Sequence, residues 1–494
     1  MDLIAKINSA VNDVVWGPPM LILMGVVGIL MTILTKFFQI SHFGYWMKNT
    51  IGGIFRKKHV TAHTEDKSIS QFQSLCTALA ATVGTGNIVG VAGAIAAGGP
   101  GAVFWMWIIA FFGMMTNYSE NVLGIYYRKK NEAGEWSGGA MYYLQNGLGS
   151  KKGCRGIATF LAVLFSIFCF LASFGIGNMT QVNSIASNVN KAFGIPNYII
   201  GIILVIAVGL VVIGGLKRIA AVTEKIVPFM VVLYIVGAIV IIVTHITDIP
   251  DIFVSIFKSA FGMKAVGGGI VGFGIKQAVV LGMKRGVFSN EAGLGSSVMV
   301  HSNSNVKEPV VQGMWGIFEV FTDTIIVCTL TAVSILASGD IDLATGQVVS
   351  GVDSNNLASE AFGKMFGTAG EMFIAIAILL FAFSTVLGWS HYGSKACEYL
   401  FGLKATYVYK VIFTVAVFGG AVMGQNLAWD IADTLNGLMA IPNLIGVLTL
   451  SGTVAAITAN YIKRHFKNEN ITPMLSAYDD IQAMQEKALK EEED

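Results

Sequence analysis

Residues 82–101, TVGTGNIVGVAGAIAAGGPG, form an apolar stretch that a membrane helix should cross unbroken, yet it is interrupted by glycine. A helix in lipid satisfies its own backbone amides and carbonyls, because hydrocarbon offers no partners. Gly84 and Gly86 around Thr85, with Asn87 next, invite that helix to open in mid-membrane and free polar backbone groups. Such a break is tolerated only where it lines a cavity, and the tenants of such cavities are small ions and small polar solutes. The feature predicts a carrier.

The rest of the chain fits a membrane setting. Of its 494 residues 54% are hydrophobic and 13% charged, a balance unsuited to a soluble protein of this size. The 57 glycines and 21 methionines suit close helix packing in lipid. A net charge of +2, with basic residues in short clusters and no basic stripe, offers nothing to a nucleic acid. Cys76, Cys154, Cys169, Cys328 and Cys397 show no paired or metal-like spacing, and no organic cofactor is implied.

Runs of roughly 20 apolar residues predict an all-α polytopic membrane protein with about eleven spans. They fall near 17–40, 70–97, 101–127, 157–190, 197–214, 222–246, 264–283, 312–338, 368–390, 405–425 and 435–461. Basic loops alternate with acidic ones. Lys48 to Lys67, Arg128 to Arg155, Lys217–Arg218, Lys284–Arg285 with Lys307, Lys395 with Lys404, and Lys463 to Lys467 fall on one side. Asp248 and Asp251, then Asp340, Asp342, Asp353 and Glu360, then Asp430 and Asp433 fall on the other. The excess of positive charge on the cytoplasmic side then places the N-terminus outside and the C-terminus in the cytoplasm, in a plasma (inner) membrane. The tail after 462 is expected as a cytoplasmic helix or disordered segment.

A second break is expected in the seventh span, where Gly267–Gly269 and then Gly272–Phe273–Gly274 interrupt an apolar run; close helix packing explains the same glycines. With the first span peripheral, two units of five helices follow, each opening on a broken helix, and the odd number inverts the second unit. The chain then divides into 1–69 (extra helix and basic loop), 70–246 (first repeat), 264–461 (second repeat) and 462–494 (tail). A binding site would lie between the breaks at the bilayer midplane. Gly86, Ala92 and Gly93 also match Gly286, Ala292 and Gly293 directly, but that match falls after the seventh span and is too weak to define the repeat.

VGTGNIVGVAGAIAAGGPGAVFW resembles the first core helix of sodium-coupled transporters with the leucine-transporter fold. GTGNIVGVAGAIAAGGPGAVFWMW, SGGAMYYLQNGLG and KQAVVLGMKRGVFSNEAGLGSS together resemble the alanine/glycine:cation symporter family, from about Trp16 to Arg464. The resemblance implies a five-plus-five inverted repeat with one extra N-terminal helix. It also implies a symporter importing alanine or glycine with sodium, a proton-coupled transporter of another small amino acid on the same fold being the alternative. Partners are then the amino acid and the bilayer; nothing in the sequence sets an oligomeric state.

An amino-acid zwitterion brings an anion and a cation into a dry site. The amides freed near Thr82, Thr85 and Gly86 suit its carboxylate, and carbonyls freed at Gly272, Phe273 and Gly274 suit its ammonium. Asn87 adds an amide, or else pairs helices. The resemblance places a sodium ion between Ser384 and Thr385 of span nine and the carbonyls of Ala80 and Val83; both hydroxyls could equally bond their own helix. In span four, Phe174 would cap the apolar part of the solute, with Asn178 or Gln181 as polar contacts, although packing alone accounts for such a Phe. Trp389 would restrict the pocket to a small side chain or serve as an interfacial anchor. Asp323, four residues after Glu319, offers a contact for a second cation or proton, or joins a buried hydroxyl network. Lys276 is expected to neutralise one of these acids, and Gln277 to face the solute. His301 and His391 are expected in cytoplasmic loops, and no catalytic set is visible, so no enzymatic activity is predicted.

Overall fold

The computed structural model describes residues 2–63, 67–262, 268–349 and 356–493, with 2–4, 268–273, 425–428 and 492–493 described by backbone alone. Asp353 and the first residues of the expected seventh span therefore lie outside it. Among the described residues the chain is almost wholly helical; one two-residue hairpin pairs Lys129–Lys130 with Trp136–Ser137.

Among the described residues eight helices are long and apolar enough to cross a membrane, or nine if the pair Gln71–Thr82 and Gly86–Gly98, whose halves meet at 50°, counts as one span. Asn197–Val212 is a shorter apolar helix and Gly268–Asn290 a further long one. Lipid-facing positions remain apolar and exposed: Ile202, Ile206, Leu210 and Ile213 line one side of the Asn197–Val212 helix and its end. The interior is unusually polar for a protein core, with Asn87, Asn117, Glu120, Glu319 and Asp323 all fully buried. Polar groups at that depth persist only when paired, so they mark where helices are held together or where something binds.

We denote α1 as Gln71–Thr82, α2 as Val91–Gly98, α3 as Gly101–Tyr126, α4 as Arg155–Phe174, α5 as Gly268–Asn290, α6 as Pro309–Val320, α7 as Thr368–Phe401 and α8 as Gln425–Thr449. A capping box starts α1: Ser70 Oγ accepts from the Gln73 amide at 3.1 Å, and Gln73 Oε1 accepts from the Ser70 amide at 3.1 Å. Eleven residues on, α1 ends at Thr82, and the chain bends at Val83–Gly84 before resuming as a wide turn over Gly86–Gly90 that leads into α2.

Gly267 lies outside the described residues, and the second break is not where the glycines of 268–274 suggested. Helix α5 runs without interruption through Gly272, Phe273 and Gly274 to Asn290. The chain opens only at 291–297, where Glu291 (φ +56°), Gly293 (φ +93°) and Gly295 (φ +73°) adopt left-handed conformations; a short helix, Val298–His301, follows. A glycine pair inside an apolar helix can stay helical, because the i→i−4 ladder still satisfies its backbone. The break lies within the stretch where Gly286, Ala292 and Gly293 match Gly86, Ala92 and Gly93.

Lys284 and Arg285 are not loop residues. Both lie inside α5 and bond Asp433 of α8, Lys284 Nζ at 2.7 Å and Arg285 at 3.3 Å from its carboxylate oxygens. They and Asp433 therefore belong to one end of the molecule, although charge alternation had assigned them to opposite sides. Three of the other basic loops do gather at the C-terminal segment: Lys129 stacks over Tyr478, Lys307 bonds the Ala488 carbonyl, and Arg464 and His465 bond Glu308. The C-terminal segment is ordered rather than loose. Its Asp479–Glu493 helix folds back under these loops, and the Ala477 amide donates to Tyr126 O at 2.9 Å.

Candidate functional site

The two breaks face one another. The Phe288 ring edge lies 3.2 Å, and the Ser289 Cα 3.4 Å, from where a side chain on Gly86 would begin. At the first break Asn87 acts twice: its Oδ1 accepts from the Gly84 amide at 2.9 Å, and its Nδ2 donates to Asp323 Oδ1 at 2.6 Å. Asp323 also accepts from Ser289 Oγ (2.8 Å) and Thr324 Oγ1 (2.7 Å). This one carboxylate thus ties the opened first helix to the end of α5. Gln181 completes the first break, its Oε1 accepting from Thr85 Oγ1 at 3.0 Å and from the Thr85 amide at 3.3 Å. Thr82, the last residue of α1, is buried directly before the bend.

Glu291 organises the second break. Its Oε1 accepts from Trp389 Nε1 at 2.7 Å and its Oε2 from Ser296 Oγ at 2.5 Å. Trp389 is therefore a fully buried wall of the centre rather than an interfacial anchor. On the far side, Asn443 Nδ2 donates to Gly293 O at 2.9 Å. One turn above Trp389 on α7, Ser384 and Thr385 meet the first break. Ser384 Oγ donates to Phe381 O (2.8 Å) and lies 3.3 Å from Ala80 O, while Thr385 Oγ1 donates to Phe381 O (3.0 Å). Glycine is required opposite them, because a Cβ on Gly84 would collide with the Thr385 hydroxyl. Both hydroxyls lie beside the bend, Ser384 near the Ala80 carbonyl and Thr385 against Gly84. Hydroxyl and carbonyl oxygens of this kind are hard ligands for a small monovalent cation.

Several expected residues are elsewhere. Asn178 donates to Phe413 O at 2.7 Å, a helix-to-helix bond, and Phe174 packs on Phe170, Tyr409 and Phe413 in a separate apolar cluster. The wide turn Gly175–Met179 that ends α4 causes this, directing both away from Gln181. The surroundings of Gly272 and the side chain of Phe273 lie outside the description. Gly274 has open space around it, and Gln277 lies 13 residues before Asn290, about 20 Å along a helix at 1.5 Å per residue. Neither reaches the breaks by helical geometry. Lys276 is exposed and neutralises neither acid. Glu319 instead lies 2.9 Å from His301, which is fully buried, and His391 lies inside α7; neither histidine is in a loop. Glu291, Ser289 and Asn443 were missed. For Ser289 and Glu291 the signal was present in SNEAGLGSS, where two glycines sit between polar residues on both sides, but Lys284–Arg285 had closed the span too early.

Apolar helices of membrane length around a buried polar centre, where two opened helices face one another, define a membrane transport protein. The chain belongs to the sodium:alanine symporter family, whose profile matches residues 1–475. It is 44% identical over 458 residues to the sodium/alanine symporter AgcS of Methanococcus maripaludis, covering 93% of this chain and 97% of that protein. An uncharacterized transporter of Haemophilus influenzae is 40% identical, covering 93% and 97% of the two chains. The amino-acid carrier protein AlsT of Bacillus subtilis is 35% identical, with 95% of each covered. Family membership places the chain among symporters, not enzymes.

Proposed function

We propose that this protein imports alanine, and similarly small neutral amino acids such as glycine, by coupling their entry to sodium. The observation that carries the reading is the meeting of the two breaks, with Ser384 and Thr385 against the first and Trp389 against the second. The solute carboxylate is assigned to the amides around Thr85–Gly86. The ammonium is assigned to Asp323 and the carbonyls of the 291–297 break, in place of those of Gly272–Gly274. The buried Trp389 ring at the second break is assigned the role of limiting the side chain to a methyl group or hydrogen. Sodium is assigned to Ala80, Val83, Ser384 and Thr385. The ion's gradient and the membrane potential, about 2.3 kcal/mol per charge per 100 mV, then drive uptake.

Eleven spans in a five-plus-five inverted repeat of the leucine-transporter type, at 70–246 and 264–461, accord with a broken helix opening each unit. In that arrangement one unit rocks against the other. Lys284, Arg285 and Asp433, with the Phe288–Trp429 stack (5.7 Å), close the path at the end away from the C-terminal segment. We assign that end to the outside and the gathered basic loops to the cytoplasm of an inner membrane. Proton coupling is the second reading, favoured by the buried Asp323 that spans both breaks. Labelled alanine uptake into proteoliposomes, with external sodium replaced by choline at fixed pH, separates them. Sodium coupling requires uptake to collapse; undiminished uptake refutes it.

A further inference from the structure

Asn436 lies on α8 and is fully buried. Both atoms of its carboxamide, Nδ2 and Oδ1, lack a hydrogen-bonding partner, the only side-chain amide so placed at both ends among the described residues. Burial of an amide with neither end met costs free energy, so a native protein keeps one where something else meets it.

The surroundings say what that is. Positions 429, 436 and 443 are seven apart, nearly two helical turns, and so lie on one face of α8, each step turning about 20° and the outer two differing by about 40°. The outer two are located by their contacts. Trp429 stacks on Phe288 at 5.7 Å, and Phe288 presses on Gly86 of the first break. Asn443 bonds Gly293 O of the second break at 2.9 Å. Asn436 is thus midway between residues that touch the two breaks, about 10 Å along the axis from each. One turn before it, Ala432 abuts Gly175 of the wide turn in span four, so this face of α8 points inward and not to lipid.

We propose that Asn436 is a ligand of the transported amino acid. Its Nδ2 donates to the carboxylate and its Oδ1 accepts from the ammonium group. A zwitterion is the small solute that satisfies a donor and an acceptor about 2 Å apart on one side chain. A lone cation would leave Nδ2 unmet, and an anion would leave Oδ1 unmet. The assignment rests on the reading of the two breaks as an amino-acid site and adds a second residue of α8, beside Asn443, to that site's contacts.

The test uses the full-length protein in proteoliposomes. Asn436→Leu keeps the volume and removes both polar atoms. At saturating sodium it should raise the alanine concentration for half-maximal uptake by about tenfold, the loss of one well-placed contact. The sodium concentration for half-maximal uptake at saturating alanine should stay within about twofold. The thermal midpoint of the purified protein without alanine should not fall, because no internal hydrogen bond is removed. An unchanged alanine value overturns the proposal alone. Wild-type protein with no sodium-dependent alanine uptake overturns it together with the reading beneath it. If Asn436→Leu does not survive purification, Asn436→Asp decides, because it keeps the acceptor and loses the donor. Alaninamide, which lacks the carboxylate, should then gain on alanine as a competitor by about tenfold; an unchanged ratio overturns the proposal.

Discussion

The two breaks open a helix by different means. At the first, Val83 has ψ of +87° and the chain bends 50° without a positive φ at Gly84 or Gly86; cross-chain partners hold the opening. Asn87 replaces a lost backbone acceptor for the Gly84 amide, and Gln181 does the same for Thr85. At the second, left-handed Glu291, Gly293 and Gly295 turn the backbone itself, and the side chain of Glu291 locks the turn to Trp389 and Ser296. Glycine therefore does two jobs. At Gly84 it clears space for the Thr385 hydroxyl, whereas at Gly293 it supplies a backbone angle that other residues adopt at a cost. Gly274 does neither, and the helix passes straight through it.

If side-chain partners hold the first break, removing one should stop transport. Asn87→Leu deletes the bonds to the Gly84 amide and Asp323, and uptake should fall by about 100-fold, the loss of two buried contacts. Asn178→Leu deletes a bond of similar length to Phe413 O outside the site; it should cost about 1–2 kcal/mol of stability while the alanine concentration for half-maximal uptake stays unchanged. Equal effects of the two on the uptake curve would erase the distinction between site and scaffold.

Thr385→Val keeps the shape opposite Gly84 and removes the oxygen. The sodium concentration for half-maximal uptake should rise by about tenfold, and an unchanged value would remove Thr385 from the ion's ligands. For the second break, Gly293→Ala should cost about 1–2 kcal/mol because of its +93° φ. Gly274→Ala meets open space and should be neutral or gain up to about 1 kcal/mol. Thermal unfolding of the two variants checks this; equal shifts would mean that the backbone at 291–297 is not what holds that turn.

The smallest effect lies beyond both breaks, where the tail joins the loop before α6. Burial alone would raise the Glu308 carboxyl, but hydrogen bonds from His465 and Arg464, with the Arg464 charge, outweigh it and hold the pKa below the ordinary 4.5. A lowered carboxyl pKa contributes stability that is complete above the ordinary value and lost as pH falls through the lower, folded one. Acidification from pH 5 should therefore loosen this end, an effect absent in Glu308→Gln. Hydrogen exchange across 461–478 measures it, and identical pH profiles in the two proteins would exclude the link.

Much of the centre was legible because one segment carried contradictory instructions: an apolar run long enough to span, with Gly84, Gly86 and Asn87 in its middle. Thr85 and Asn87 were singled out from it, Gln181, Asp323 and Trp389 from polar or aromatic positions in other spans, and Ser384 and Thr385 through the family resemblance; the fold brings them to the two breaks. The errors have a common cause. Charge in a membrane reads as a loop, so Lys284–Arg285 ended the seventh span early and hid the break seven residues further on; Asp433, almost 150 residues away in sequence, keeps those charges inside a helix. Phe174 and Asn178 share a helical face with Gln181 only if span four stays regular, and the wide turn at Gly175–Met179 removes that premise.

The sequence alone decided what each segment must do for itself. Long apolar runs had to become helices, because in lipid the backbone can pair only within its own segment. The glycine-flanked Asn87 likewise had to mark an exception to that rule. Tertiary structure decided which exceptions survive. A helix can open, or carry a charge, only where residues distant in the chain replace the lost partners: Asp323 for Asn87, Trp389 for Glu291, Asp433 for Lys284. Those partners are set by packing between helices, a property no single segment contains.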